Sequence, residues 1–366
     1  MAHRDGLTDS LLGLDPSVTS TRPWFYLVPA EGPCERITPS IESAVLDPLP
    51  GTTLAYGGAT DIAAALSRHA GKRFAVLADR DLPFLSTFPA GARDLLASAC
   101  IFTTSAAALV QRVRSLLDGD GIASHERAAR VLYEAVEEAW VFLSDALRRN
   151  EAVYEGDVAD RILDVIARAA LVSSAPPVVA AGPASGDPHY ERRGRGNRVR
   201  TGEVVQFDLW AKEPGGIYAD ISWAGYTGHE PPSRIAAAFA AVVGARDLVV
   251  DTIADTLERQ VPLTGAELDR VARAYLTEAG YATGLRHRTG HGIDTDCHGS
   301  GANLDSVEFP DARVILEGSC VSVAPGLYFA DFGFRSEINV YIHGQKPVVS
   351  GTRSAQKSLL TLQETT

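Results

Sequence analysis

In the middle of the chain, apolar residues first recur every three or four positions, as in a helix, and then every second position, as in a strand. A long amphipathic helix is predicted from a cap at Ser124, because apolar residues recur every three or four positions; these are Ala128, Leu132, Val136, Ala139, Leu143 and Leu147. A second helix of the same kind carries Val158, Ile162, Val165 and Ala169. Strands are predicted around Val178 and over residues 204–211 and 217–224.

The same order then repeats. A third helix runs from Ser233, with Ile235, Phe239, Val242, Val249 and Ile253 on its apolar face. A fourth opens at Thr264, which forms a T-x-x-E capping box with Glu267. Strands return over residues 320–324 and 334–341. Two copies of helix, helix and strands predict a pseudo-twofold α+β domain with its helices on one face of a curved antiparallel sheet.

A smaller mixed α/β domain is predicted before this repeat. Strands are expected over residues 24–28 and 74–77, and helices over residues 61–67 and 106–117. The run Asp118-Gly119-Asp120-Gly121 breaks the pattern. We therefore place the domain boundary there, with one domain over residues 1–120 and the second over residues 121–366.

Composition excludes several classes of protein. With 45% hydrophobic and 22% charged residues, the chain has a globular composition. A net charge of −12 argues against nucleic acid or an anionic membrane as a partner. The four cysteines contain no CxxC pair, so neither a zinc ribbon nor a disulfide framework is indicated. Without a secretory leader or a span of about 20 apolar residues, a cytoplasmic location is expected.

Two acidic residues interrupt the apolar strands around a predicted hairpin. Asp208 and Asp220 flank the turn Lys212-Glu213-Pro214-Gly215-Gly216. If the hairpin is symmetric about Pro214, the two carboxylates lie directly opposite each other. Facing like charges destabilise a sheet, so the pair needs a cation between them or one protonated partner. The alternative is that both are hydrogen-bonded structural acids.

Three histidines lie within a glycine-rich segment further along the chain. His291 stands between Gly290 and Gly292, where the backbone can approach a ligand closely, and it is our predicted metal ligand. His287 and His298 are predicted to donate to a substrate carbonyl or carboxylate. The alternative is that all three are surface residues.

Arg335 and Glu337 alternate on one predicted strand and so share a face. By themselves they indicate a simple ion pair, and His189 is a weak signal. Burying several carboxylates without a partner is costly. Asp208, Asp220, His291 and Glu337 are therefore predicted to share a divalent cation site.

These motifs together resemble the pita-bread metallopeptidases, the group of aminopeptidase P, prolidase, methionine aminopeptidase and creatinase. The resemblance rests on FDLWAKEPGGIYADI, HRTGHGIDTDCH, SVAPGLY and FRSEIN. It implies two ions of Mn, Co, Fe or Zn, with Asp208 on one ion, His291 on the other, and Asp220 and Glu337 bridging them. It also implies a homodimer and an N-terminal domain that lines the substrate entrance.

The resemblance further implies catalytic and substrate-binding roles. His189, His287 and His298 correspond to the histidines that orient the scissile bond and the proline carbonyl in prolidases. Arg335 lies beside the bridging Glu337. The implied activity is that of an Xaa-Pro aminopeptidase or prolidase acting on small peptides.

Two departures from the family pattern change the expectation. The family's VEPG is VAPG here, so Ala324 replaces a glutamate ligand and offers no donor atom. Asp294 and Asp296 are near in sequence and are candidates to replace it. The opening strand and helix of the N-terminal domain are expected to be shortened or missing.

Three functions stay open at this stage. The first is an Xaa-Pro exopeptidase with weakened metal binding and low activity. The second is a metal-independent, creatinase-like hydrolase or lyase acting on a small amide or amine. The third is a non-catalytic binding module that keeps the peptide cleft.

Overall fold

The computed structural model describes residues 6–15, 17–18, 20–351 and 355–362. The chain divides into two compact units, Met1–Val113 and Arg114–Thr366. None of the helices in the described ranges combines the length and apolar character needed to cross a membrane.

The N-terminal unit is mixed α/β, as predicted. Strand β2 pairs antiparallel with β1 and parallel with β3, and β4 and β5 form a separate parallel pair. The core includes the buried side chains of Ile37 and Leu66. The elements are α1 (Gly6–Leu12), β1 (Phe25–Leu27), β2 (Glu35–Pro39), a 3-10 helix (Ser40–Leu46), β3 (Thr52–Tyr56), α2 (Ala59–Ser67), β4 (Arg73–Val76), a 3-10 turn (Pro83–Leu85), α3 (Ala90–Ser98), β5 (Phe102–Ser105) and α4 (Ala107–Arg114).

The C-terminal unit contains the predicted repeat of helix pairs and strands. The first copy consists of α5 (Gly119–Arg148), α6 (Glu155–Arg168), β6 (Val178–Ala181), a 3-10 turn (Gly182–Gly186), β7 (Val204–Ala211) and β8 (Ala219–Tyr226). The second consists of α7 (Ser233–Glu258), α8 (Gly265–Glu278), a 3-10 turn (Ala282–Gly284), β9 (Cys320–Val323), β10 (Gly326–Tyr328), β11 (Gly333–Arg335), β12 (Ile338–Ile342), β13 (Pro347–Val349) and β14 (Leu360–Thr361).

The repeat contains two main sheets and two cores, and β14 from the second copy joins the sheet of the first. One sheet has the strand order β14-β8-β7-β6, and the other has the order β13-β12-β9. The first core includes Leu132, Val136 and Phe207, and the second includes Phe239 and Val340. All five of these side chains are buried, as are most residues of the predicted apolar helix faces, whereas Ala169 is exposed and lies just beyond the end of α6. The predicted α+β class and pseudo-twofold repeat are therefore confirmed.

Helix α5 begins earlier than predicted. The Asp118 side chain accepts a hydrogen bond of 2.8 Å from the Gly121 backbone N–H, so Asp118 rather than Ser124 caps the helix. An aspartate cap satisfies an N–H group that the first turn leaves unpaired. It offsets the low helix propensity of two glycines there. The Asp118–Gly121 run that we interpreted as a break is thus the start of the helix.

The register of the β7–β8 hairpin differs from the prediction. Asp208 lies opposite Ser222, and Asp220 lies opposite Trp210. The centre of the hairpin is Gly215, whose φ of 76° lies in the left-handed region that favours glycine. The expectation that Asp208 and Asp220 directly face each other is therefore wrong. Because the shift equals two residues, both side chains still share one face as diagonal neighbours.

The predicted strand over residues 334–341 is two strands. Strand β11 ends at Arg335 and pairs with β10, whereas β12 begins at Ile338 and pairs with β9 and β13. Between them, the Glu337 N–H donates to the Ser222 carbonyl at 3.0 Å. This backbone bridge links the two sheets and brings Glu337 to β8.

Helix α8 packs closely against a segment that supports the histidine loop. The predicted capping box is present at its start, with the Thr264 N–H donating to Glu267 at 2.7 Å. A Cβ atom on Gly265, the next residue, would overlap the Asn303 carbonyl. The following residue, Leu304, accepts from the Thr289 N–H at 3.0 Å. Gly265 therefore allows the helix to approach backbone that holds residues 289–291 in place.

We expect Gly265→Ala to lower the free energy of unfolding by about 1–3 kcal/mol, because the added methyl group must displace backbone. Urea denaturation followed by circular dichroism measures this effect. Gly119→Ala is the matched control, since Gly119 is also the first residue of its helix and a Cβ there has no heavy atom within 4 Å. Equal stability of the two variants would contradict the close approach.

Candidate metal centre

Three buried ligand groups converge at the junction of the two sheets. Asp220 lies on β8, Glu337 lies between β11 and β12, and His291 lies between backbone bridges at Gly290 and Gly292. One ligand atom from each of Asp220, His291 and Glu337 lies within 4.8 Å of the other two. His291 Nε2 is 3.4 Å from Asp220 Oδ2 and 3.9 Å from Glu337 Oε1.

The hydrogen bond at the other ring nitrogen fixes the tautomer of His291. Its Nδ1 is 3.2 Å from the Gly292 carbonyl oxygen, which can only accept, so Nδ1 carries the proton. Burial lowers the pKa of His291 to about 3, so the ring is neutral at pH 7. Its Nε2 therefore presents a lone pair to two carboxylate oxygens. Metal-binding histidines usually donate their other ring N–H to a carbonyl or carboxylate oxygen in this way.

Burial disfavours negative charge on both carboxyl groups, even though Arg335 Nε lies 3.8 Å from Glu337 Oε2. Burial, followed by the charge of Asp208, raises the pKa of Asp220 to about 7. Burial and the charge of Asp220 also raise the pKa of Glu337 well above its usual range. Within the described residues, the buried Asp220 Oδ1 has no hydrogen-bond partner. A buried acceptor without a partner costs about 1–3 kcal/mol, and this donor set fits one divalent cation.

The residues fit a second ion less well. Asp208, the predicted ligand of that ion, forms an ion pair with Arg335 Nη2. Its Oδ1 lies 2.5 Å from the Ser222 hydroxyl, which is also 2.8 Å from Glu337 Oε2. Asp208 is not part of the three-residue cluster among the described residues. Ala324 lines the same cavity and supplies no donor atom.

The two aspartates that we considered as replacements for the missing glutamate are both engaged elsewhere. Asp294 Oδ2 accepts from the Ser115 hydroxyl at 2.9 Å and from the Ser300 N–H at 2.7 Å. Asp296 forms an ion pair of 2.7 Å with Arg114. Neither belongs to the ligand cluster in the described part of the chain.

A buried amide holds the backbone of Asp220. Asn339 Oδ1 accepts from the Asp220 N–H at 2.8 Å, and Asn339 Nδ2 donates to the Asp220 carbonyl at 2.5 Å. Strand β9 supports the histidine side, since the Ser322 N–H donates to the His291 carbonyl at 2.8 Å. The ligands are thus carried on paired backbone rather than on free loops.

The other predicted histidines lie close to this centre. His298 contacts His291, with ring centroids 4.3 Å apart. The neighbouring His291, followed by burial, lowers the pKa of His298 to about 3. His287 Nδ1 is 2.6 Å from the Arg288 carbonyl, so Nδ1 carries the proton and Nε2 accepts from the Tyr328 hydroxyl at 2.8 Å. His287 therefore has both nitrogens occupied, and its role as a donor to substrate stays a prediction.

A cavity of about 970 Å³ contains the whole set. The eight residues predicted for the site all line it: His189, Asp208, Asp220, His287, His291, His298, Arg335 and Glu337. Their individual catalytic and ligand roles stay predictions. The volume is at the upper end of the range for small-molecule sites.

Sequence reasoning missed several residues that shape the centre. Ser222 and Asn339 each lie two positions beyond a predicted ligand, so strand alternation indicates that they share its face. Cys297 Sγ is 3.1 Å from Asp220 Oδ2, and no spacing pattern predicts that contact. Tyr328 and Arg288 also belong to this group, because both are beside His287.

Comparisons with known proteins identify the fold. The crystal structure of dipeptidase PepE from Mycobacterium ulcerans aligns with a TM-score of 0.70 and 21% identity, covering 93% of this chain and 86% of that one. The N-terminal domain of FACT complex subunit SPT16 from Cicer arietinum aligns with a TM-score of 0.66 and 12% identity, covering 90% and 84%. The predicted pita-bread fold is therefore confirmed, and it occurs in proteins with different names.

Sequence comparison gives a related result over part of the chain. An Xaa-Pro dipeptidase of Lactobacillus delbrueckii subsp. lactis is 32% identical over 161 residues, which are 44% of this chain and 40% of that protein. The matched part spans less than half the length of such curated relatives. Residues 123–344, more than half of the chain, match Metallopeptidase family M24, and the chain belongs to that family.

Proposed function

We propose that this chain is a metal-dependent peptidase of the Xaa-Pro dipeptidase or aminopeptidase type, with one well-formed ion site and low activity. The observation that carries the proposal is the convergence of Asp220, His291 and Glu337. When both carboxyl groups are ionised they repel each other and the lone pair of His291 Nε2, and a divalent cation relieves that repulsion. The names of the relatives support peptide bonds beside proline as the target.

In the proposed reaction, the metal ion and the side chains have different roles. When bound, a divalent ion supplies a Lewis acid and lowers the pKa of a coordinated water. Asp220, His291 and Glu337 would hold it, and Asn339 fixes the Asp220 backbone. The neutral ring of His298 lies beside His291 and can hydrogen-bond a substrate. Arg335 neutralises Asp208 and so limits the negative charge that a substrate meets.

Weak metal binding follows from the donor count. Catalytic sites of this type hold an ion by several protein ligands, and Ala324 removes one carboxylate from the family pattern. Arg335 also competes with a second ion for the carboxylate of Asp208. We therefore propose that a second ion binds weakly or not at all, and that turnover is correspondingly low.

The first test restores the missing ligand. We expect Ala324→Glu to raise the metal content of the purified protein and the hydrolysis of Ala-Pro, because a fourth donor enters the cavity. Atomic emission spectroscopy and release of proline measure the two effects. Ala330→Glu is the control, since Ala330 is exposed and six positions away. Unchanged metal content in a folded variant would refute the proposed cause.

The second test removes a ligand. His291→Ala is expected to weaken Mn²⁺ binding by about tenfold or more, since changes even outside the ligand shell cost about 10–100-fold. Calorimetric titration with Mn²⁺ measures the affinity. His343→Ala is the matched control because the His343 side chain is 69% exposed. Equal affinities in the two variants would remove His291 from the metal site.

The alternatives make different predictions for chelation. Activity on Ala-Pro that disappears with a chelator and returns with Mn²⁺ supports the peptidase. Activity on a small amide or amine that persists without metal supports the creatinase-like alternative, which Ala324 favours. Peptide binding without turnover, even in Ala324→Glu, supports a non-catalytic module. The homodimer and the cytoplasmic location stay predictions.

A further inference from the structure

A fully buried arginine contacts the strand junction that carries Glu337. Arg246 belongs to helix α7, and its residue is 0% exposed. Its Nη1 donates to the Ser336 hydroxyl at 2.6 Å, and Ser336 directly precedes Glu337 in the chain. A buried guanidinium is costly unless its charge and its N–H groups have partners. The Ser336 hydroxyl is one of these partners.

The charge of Arg246 is neutralised on its own helix. Its Nε and Nη2 both donate to Asp247 Oδ1, at 2.9 and 2.7 Å. The Asp247 side chain is 42% exposed, so this ion pair reaches the surface of the protein. The guanidinium therefore does not depend on an acid of the metal centre for its counter-charge, and its Nη1 is left for neutral oxygen acceptors.

The second acceptor of Nη1 belongs to the C-terminal segment. Nη1 donates to the Gln356 carbonyl at 2.8 Å. The Gln356 side chain in turn holds the backbone of Ala224 on β8, because it accepts from the Ala224 N–H at 3.0 Å and donates to the Ala224 carbonyl at 2.6 Å. Ala224 lies two residues beyond Ser222, whose carbonyl accepts from the Glu337 N–H. One nitrogen of Arg246 thus connects the β11–β12 junction with the strand to which that junction is bridged.

The backbone between β11 and β12 is fixed at successive residues. The Arg335 N–H donates to the Gln206 side chain at 2.8 Å, and the Ser336 N–H donates to the Pro325 carbonyl at 3.3 Å. Arg335 and Glu337 line the cavity, whereas Ser336 between them does not. This is the alternation expected of an extended backbone. The guanidinium on α7 therefore contacts the junction from the side opposite the cavity.

We propose that Arg246 is a positioning residue of the metal centre. Through Ser336 and Gln356 it fixes the backbone of Glu337 relative to β8, and it thereby sets the spacing between Glu337 and Asp220. Ligands that are held in place before the ion arrives lose less conformational entropy on binding, and small displacements weaken a site. This inference rests on the proposed function, because it assumes that a metal ion binds at Glu337.

Metal affinity of the purified full chain tests the assignment. Calorimetric titration of the metal-depleted protein with Mn²⁺ compares the unaltered chain with Arg246→Lys and Ser336→Ala. We expect each variant to bind Mn²⁺ about three- to thirtyfold more weakly, a range typical of changes that act through a connecting network. Lysine keeps the charge, but it lacks the forked donors that serve Ser336, Gln356 and Asp247 together.

The double variant Arg246→Lys/Ser336→Ala shows whether the two residues act together. If Arg246 acts through Ser336, the combined loss of Mn²⁺ affinity should be close to the larger of the two single losses. Two losses that simply multiply would show that Ser336 does not transmit the effect of Arg246, and they would overturn the proposal.

Two matched controls separate positioning from general destabilisation. Val249→Ala removes buried volume from the same helix, three residues from Arg246, and Ser144→Ala removes a buried hydroxyl from α5. Either change can lower the free energy of unfolding, which urea denaturation measures, but neither should alter the Mn²⁺ affinity. A control that weakens Mn²⁺ binding as much as Arg246→Lys does would contradict a specific role for Arg246.

Two further measurements follow the position of Glu337. The visible absorption of bound Co²⁺ depends on how its ligands are arranged, so Arg246→Lys should change this spectrum and the two controls should not. Hydrogen exchange of the peptide over residues 335–338 reports on the Glu337 N–H in the metal-free chain, and we expect faster exchange in Arg246→Lys. If the unaltered chain binds no metal, the proposed function fails, and faster exchange still supports the positioning role. Unchanged exchange would overturn that role whether or not a metal binds.

Discussion

Three buried side chains, those of Asp220, Glu337 and His291, bring atoms with lone pairs close together, and the metal centre depends on how their repulsion is relieved. The lone pair of His291 Nε2 meets oxygens of Asp220 and Glu337 at 3.4 and 3.9 Å. His291 cannot donate a hydrogen bond across the contact, because the imidazole proton is on the other nitrogen. In a low-dielectric interior such a cluster is stable only with protons on the carboxylates or a cation among them. The raised pKa of Asp220, about 7, corresponds to the first of these two ways of relieving the repulsion.

The fold brings these groups together by joining two similar halves. Asp220 belongs to the sheet of the first half, and Glu337 stands at the edge of the second. The backbone bridge from Glu337 to Ser222 is the link between them. Asn339 then holds the Asp220 backbone with two hydrogen bonds from the second half. The metal centre is thus a consequence of how the halves meet.

The ligand residues could be predicted from the sequence, because an acidic residue within an apolar strand is costly to bury unless it has a partner. The register could not, because a two-residue shift keeps Asp208 and Asp220 on one face and leaves the apolar pattern unchanged. The break between β11 and β12 was also missed, since residues 334–341 alternate like one strand. Contacts that join distant segments, such as His287 with Tyr328, have no local signature.

The pairing of Asp208 with Arg335 connects the missing ligand to the rest of the centre. In a site with two ions, Arg335 and the second ion would share the carboxylate of Asp208. Without the glutamate at position 324, less negative charge is available to hold a second ion, and the fixed cation of Arg335 can neutralise Asp208 instead. A free metal ion must lose bound water before Asp208 can hold it, whereas the guanidinium of Arg335 is already part of the protein. The missing carboxylate at position 324 and the pairing of Asp208 with Arg335 are the two observations from which we propose a centre that holds one ion well.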